Sequence, residues 1–182
     1  MAKGRQMIEI IPNWHPIFVH FTVALTSIAT FFFCLGFVLQ NKNFGKELLI
    51  AGRLCLWAGA LAAIATVTAG FIAYYTVSHD TPSHEAMVIH RNWALTTLCV
   101  ILITAIWSIY IWLKSKKIGV FFLLAMVSAF LLVTITAWHG AELVYRYGLG
   151  VQSLPKESHA GHTHHSKTKK NQDAHGGHEH NH

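Results

Sequence analysis

Residues 88–138 read VIHRNWALTTLCVILITAIWSIYIWLKSKKIGVFFLLAMVSAFLLVTITAW, two long apolar runs broken only by the tight basic turn Lys114, Ser115, Lys116 and Lys117. A helix needs roughly 20 predominantly apolar residues to cross a bilayer core, where every backbone polar group must be paired internally. Both runs exceed that length, so the stretch predicts a pair of antiparallel transmembrane helices, about 88–113 and 118–145. Working outward, two further runs predict helices at about 16–39 and 48–77, joined by the polar loop Asn41 to Glu47. Ser78 to Glu85, with Pro82 inside, reads as the link between the second and third helices. Connections this short favour an up-down-up-down bundle.

Composition agrees. Of 182 residues, 53% are hydrophobic and only 12% charged, against roughly 25% charged in soluble domains. The fold class is therefore all-α, an integral membrane antiparallel four-helix bundle in a lipid bilayer. It occupies one domain, residues 1–154, and a histidine-rich tail predicted to be disordered follows over 155–182. The first apolar run is too long for a signal h-region and lacks a small-x-small cleavage site, so it is expected to remain as the first helix. The net charge of +6 does not point to nucleic acid, because Lys and Arg lie at segment ends and in the tail, with no basic face to follow a phosphate backbone. Cys34, Cys55 and Cys99 match no CxxC or CxxCH pattern. They indicate neither a disulfide framework nor covalent haem and read as small apolar packing residues.

Basic residues set the expected orientation. One face carries Lys42, Lys46, Arg53, Lys114, Lys116 and Lys117; the other carries Lys3, Arg5, Arg91, Arg146 and Lys156. The more basic face, with the tighter loops, is expected in the cytoplasm of a multi-pass bacterial inner-membrane protein, leaving both termini outside. Trp14, Trp93 and Trp138 fall near one end of the bundle and Trp107 and Trp112 near the other, as in interfacial aromatic belts.

His15, His20, His79, His84, His90 and His139 all fall near the outer face. Ionisable residues at membrane depth are costly without a partner, so a one-sided cluster reads as a site. His15 precedes Pro16 at the mouth of the first helix, and His20 lies five positions on, about 7–8 Å along the axis and offset by about 140°. The alternating helix directions bring His20, His90 and His139 to comparable depth on three helices, the way bundles assemble cofactor sites. Interhelical polar contact is the bland alternative for these three. His79 and His84 share a loop with Asp80 and Glu85, where solvation alone explains a histidine; for His15 a place among the headgroups is an equal alternative. Arg91, beside His90, and Arg146 are candidates to meet haem propionates. The small residues Gly59, Ala62, Ala63, Thr66, Ala69, Gly70 and Ala73 of the second helix admit either close helix packing or a flat ring.

Neutral imidazole suits haem iron as well as copper, zinc and nickel. The primary reading is a b-type haem-binding protein for electron transfer. Its ligand pool is His20, His90 and His139, with His15 and His84 as outer candidates. The alternative is a non-haem protein that binds or handles copper, zinc or nickel. Three histidines with an open fourth position fit such a site, and Glu142, three positions after His139, can orient a ligand. Nothing resembles a nucleophile or an acid–base pair, so electron transfer or metal binding is favoured over hydrolysis. The tail carries His159, His162, His164, His165, His175, His178, His180 and His182 among Gly, Lys and Asn, a composition that binds transition metals loosely.

The run Asn13-Trp14-His15-Pro16-Ile17-Phe18-Val19-His20-Phe21 resembles the His-Pro-x-x-Val-His-Phe opening of an uncharacterised family of bacterial four-helix membrane proteins, a domain of unknown function. Weaker matches are His84 through His90-Arg91 and the stretch Gly140 to Val151, which ends Tyr-Gly-Leu-Gly-Val. The resemblance covers about residues 12–151. It implies motif histidines at His15 and His20 and, because members occur fused to c-type cytochrome or Rieske-type domains, a redox partner of that kind. Thr22 stands where proline often follows in the family, which implies a straighter first helix.

Overall fold

The computed structural model describes residues 13–151 and consists there of four helices without strands: α1 (His15–Val38), α2 (Asn43–Thr76), α3 (Thr81–Leu113) and α4 (Val120–Tyr145). Each contains a stretch long and apolar enough to cross a membrane, with mean hydropathy between 2.0 and 2.5. Neighbours follow chain order around a ring: α1 packs on α2 and α4, α3 packs on α2 and α4, and the backbones of the diagonal pairs stay apart. The closest packing lies within the hairpins α1–α2 and α3–α4; the hairpins meet each other more loosely. The expected tail ligands and termini lie outside the described residues.

Two helices begin earlier than the sequence predicts. α3 starts at Thr81 instead of 88, because Asp80 caps it: the Ser83 backbone N–H donates to the Asp80 carboxylate at 3.0 Å, and the Asp80 N–H donates to Ser83 Oγ at 3.0 Å. This reciprocal pair satisfies two otherwise orphaned donors, and Pro82 occupies the first turn, where its missing N–H costs nothing. His84 and Glu85, expected in a loop, therefore sit in the first turn of α3. α2 starts at Asn43 instead of 48 because Gly45 lets its first turn press against the end of α1; a Cβ there would collide with the Leu39 carbonyl oxygen.

The bundle is apolar outside and small or hydroxylated inside. Phe31, Leu61, Ile72, Ile103, Ile106 and Phe121 point outward, the arrangement lipid requires. The buried seam of α1 is Thr22, Thr26, Ala29, Phe33 and Gly36, with steps alternating between four and three residues. α3 repeats the pattern with Thr97, Ile101, Thr104, Ser108 and Ile111, and α4 with Phe122, Met126, Ala129 and Val133. On α2 it runs through Gly52, Leu56, Gly59, Ala63 and Thr66. This spacing keeps one stripe facing the partners over many turns, and small residues let backbones approach without a hydrophobic drive. Phe33 and Phe122 fill the middle, their ring centroids 4.9 Å apart.

Candidate cofactor site

Continuing each seam toward the outer end picks out four residues. Two steps back from Thr22 on α1 lies His15, and two steps back from Thr97 on α3 lies His90. One step on from Thr66 on α2 is Gly70; two on from Val133 on α4, past Thr136, is Gly140. The structure brings these four together. The His15 ring lies on Gly70, where a Cβ would stand 3.0 Å from both Cε1 and Nδ1. The His90 ring lies on Gly140, where a Cβ would stand 3.1 Å from Cε1. The two imidazoles, from diagonally opposed helices, have centroids 6.1 Å apart and planes at 82°.

His15 Nδ1 is 2.9 Å from the Thr66 carbonyl oxygen. A carbonyl only accepts, so Nδ1 carries the proton and Nε2 keeps its lone pair, the ligand form of neutral imidazole. Gly70 makes this bond accessible. It lies one helical turn after Thr66, and a side chain there would cover the carbonyl's second lone pair. His90 faces the matching carbonyl, that of Thr136, less tightly: its Nδ1 is buried with no partner in hydrogen-bonding geometry among the described residues. Beneath the histidines lies a layer of paired threonines, Thr22 with Thr66 and Thr97 with Thr136, each 2.8 Å between hydroxyl oxygens.

The two hairpins thus carry the same parts in the same order. His15 precedes Thr22 as His90 precedes Thr97, by seven positions in each case. Thr66, Gly70 and Tyr75 recur as Thr136, Gly140 and Tyr145 with identical spacing. α1–α2 and α3–α4 are internal counterparts, and the histidine pair straddles the seam between them, one imidazole from each half.

The other sequence-predicted residues are placed differently. His20, expected at the centre, is exposed on the outer face of α1, its Nδ1 bonded to the Pro16 carbonyl of its own helix. The 140° offset from His15 is resolved in favour of His15, because His15 and not His20 is in register with the buried seam. His139 is one position off the α4 seam. It stacks on Trp93 at 6.0 Å, its Nδ1 3.5 Å from Glu142 Oε2. It borders a surface cavity of about 290 Å³ with Ile89, Glu142 and Arg146. Arg146 pairs with Glu142 at 2.6 Å. Arg91 lies over the Tyr74 ring, 5.4 Å from its centroid. His84 stacks on His79 with centroids 5.1 Å apart. Among the described residues, no three His, Cys, Asp or Glu side chains are grouped closely enough to share a metal ion.

A family of predicted membrane proteins, DUF2231, matches residues 12–153. The chain belongs to this family. The match covers the whole bundle and stops where the histidine-rich tail begins. No curated protein and no solved structure matches the chain. The family's membrane character agrees with the four spanning helices.

Proposed function

We propose that the protein is a membrane-embedded b-type haem protein that carries electrons, with His15 and His90 as the residues that would hold the haem. The observation that carries this reading is the meeting of two half-buried imidazoles 6.1 Å apart, each seated on a glycine of a neighbouring helix. At this spacing one nitrogen of each imidazole would be able to reach a shared iron. The buried Nδ1 of His90, without a partner among the described residues, leaves a polar atom in this layer for a bound group to satisfy. The looser seam between the hairpins passes between the two rings. When bound, haem supplies a one-electron iron couple whose potential follows axial ligation and burial.

The chain's own contribution is positional. The Thr66 carbonyl fixes the tautomer and tilt of His15, Gly70 and Gly140 set the depth of both rings, and the threonine layer below ties each hairpin together. Ligand count favours haem over a bare copper, zinc or nickel ion at this position. A macrocycle needs only two protein ligands, whereas a buried ion needs a third or fourth. The site lies at the end of the bundle opposite the Lys114–Lys117 turn. A periplasmic redox partner of cytochrome or Rieske type, in a bacterial inner membrane with the basic loops inside, completes the proposal.

Reduced-minus-oxidised visible spectra of the purified full chain, expressed with ample haem, test it. Low-spin haem bands are expected in the wild type and in His20→Ala, with loss in His15→Ala and in His90→Ala. Absence of haem bands from the wild type overturns the reading; bands that survive both His15→Ala and His90→Ala overturn the ligand assignment.

A further inference from the structure

Two buried hydrogen-bond donors are left over at the end of the bundle opposite the histidines. Arg53 Nε and Trp57 Nε1 have no acceptor among the described residues. They lie four positions apart on α2, neighbours on one face of the helix. The Trp57 indole meets Trp112 of α3 with ring centroids 5.6 Å apart and planes at 69°. Both donors therefore front the seam between α2 and α3, where the hairpins pack loosely. Arg53 and Trp57 are half-buried there, and Trp112 is exposed. Side chains on a helix lean toward its N-terminus, which for α2 is the end beside the Lys114–Lys117 turn. The indole thus leans over the turn that carries Arg53, and the guanidinium reaches on toward that surface.

A guanidinium is always charged, and at membrane depth it needs an anion. The described residues offer it none. Six cations stand at this end, Lys42, Lys46, Arg53, Lys114, Lys116 and Lys117, against the single carboxylate of Glu47. Glu47 is exposed, lies about 120° around the helix from Arg53, and makes no ion pair with it. The depth is that of lipid headgroups. α2 has 34 residues, about 51 Å at 1.5 Å each, against a hydrocarbon core of about 30 Å. Arg53 stands about 15 Å from the start of the helix at Asn43, and Trp57 with Trp112 marks the interfacial aromatic belt.

We propose that Arg53 and Trp57 form a binding site for the phosphate of an anionic phospholipid seated in the α2–α3 seam. The Nε–H of Arg53 and the Nε1–H of Trp57 donate to its phosphate oxygens, bonds strengthened by the charge of the acceptor. The surrounding lysines favour a headgroup of net negative charge, as basic pockets between spanning helices do. A zwitterionic headgroup would return a cation to a surface that already holds six. Exposed Ile50, Leu54 and Leu113 offer apolar surface to the acyl chains. The site lies at the opposite end of the bundle from His15 and His90, so it stands or falls independently of haem.

Native mass spectrometry of the delipidated full-length protein, titrated in detergent micelles with phosphatidylglycerol or with phosphatidylcholine, tests the site. One phosphatidylglycerol per chain is expected to be retained in preference to phosphatidylcholine. Arg53→Gln should weaken that retention by about tenfold or more, the scale of a hydrogen bond to a charged group. Trp57→Phe keeps the stack on Trp112 and should weaken it as well, while Lys42→Gln, which removes a peripheral charge, leaves it nearly unchanged. Circular dichroism of each variant checks that the bundle is folded. Inorganic phosphate in excess should not displace the lipid; displacement would make the site one for a free oxyanion and overturn the lipid assignment. Equal retention of the two lipids, or undiminished retention in folded Arg53→Gln and Trp57→Phe, overturns the proposal.

Discussion

Gly70 and Gly140 matter at the residue scale because each is the floor under an imidazole. A Cβ at Gly140 would stand 3.1 Å from His90 Cε1, a separation that a small ring shift can relieve, whereas the branched side chain of valine cannot be accommodated without displacing the ring. On the proposed haem reading, Gly140→Ala is therefore expected to retain the visible bands with an altered midpoint potential. Gly140→Val is expected to lose the low-spin bands, with overpacking costing about 1–3 kcal/mol and circular dichroism still reporting a helical fold. Gly70→Val should behave likewise through His15. A purely structural role for the histidines predicts the stability loss without any change in a bound chromophore, so the spectrum separates the two cases.

The element scale is decided at helix ends. The Ser83 hydroxyl and backbone N–H both donate to Asp80, and with the nearby His79 they hold its carboxyl below the usual carboxylate range. A depressed folded-state value means that the cap's contribution is complete above the unfolded carboxylate pKa of about 3.9 and is lost as pH falls through the lower folded value. The protection of the Ser83 and His84 amides, measured as hydrogen exchange relative to the intrinsic rate at each pH, is expected to fall only in that acidic window, and in Asp80→Ala to be low at every pH. The opposite end of α2 depends on close approach. Gly45→Ala places a methyl group against the Leu39 carbonyl and should cost about 3 kcal/mol, at the top of the overpacking range, seen as a lowered Tm in detergent. Hydropathy places both helix starts too late, because it marks apolar runs and is blind to the polar first turns that extend them, one capped by Asp80 and the other seated against α1 at Gly45.

The whole molecule is two matching hairpins around one layer. Thr22–Thr66 and Thr97–Thr136 occupy equivalent places with equal 2.8 Å separations. Thr22→Val and Thr97→Val are expected to destabilise by similar amounts, about 0.6 kcal/mol each as for interhelical hydrogen bonds in membranes, measured by unfolding in mixed micelles. Clearly unequal costs would remove the functional equivalence of the halves. The repeat was present in the sequence as His-x₆-Thr and Thr-x₃-Gly-x₄-Tyr, but so sparse a pattern becomes visible only once the paired contacts show which residues correspond.

Four spanning helices, their antiparallel order and the concentration of histidines at one end follow from the sequence alone, because bilayer thickness sets the length of apolar runs and short loops leave neighbours no other arrangement. Which histidines turn inward does not follow. In a soluble bundle, water marks the outer face of each helix with polar residues; here lipid accepts Phe31, Leu61 and Ile106 as readily as the core accepts Phe33. Each helix is apolar all round, so its facing is carried only by small and hydroxylated residues whose role appears when a partner packs against them. That packing sets His15 over Gly70 and His90 over Gly140, turns His20 outward, and leaves His139 one position off the seam.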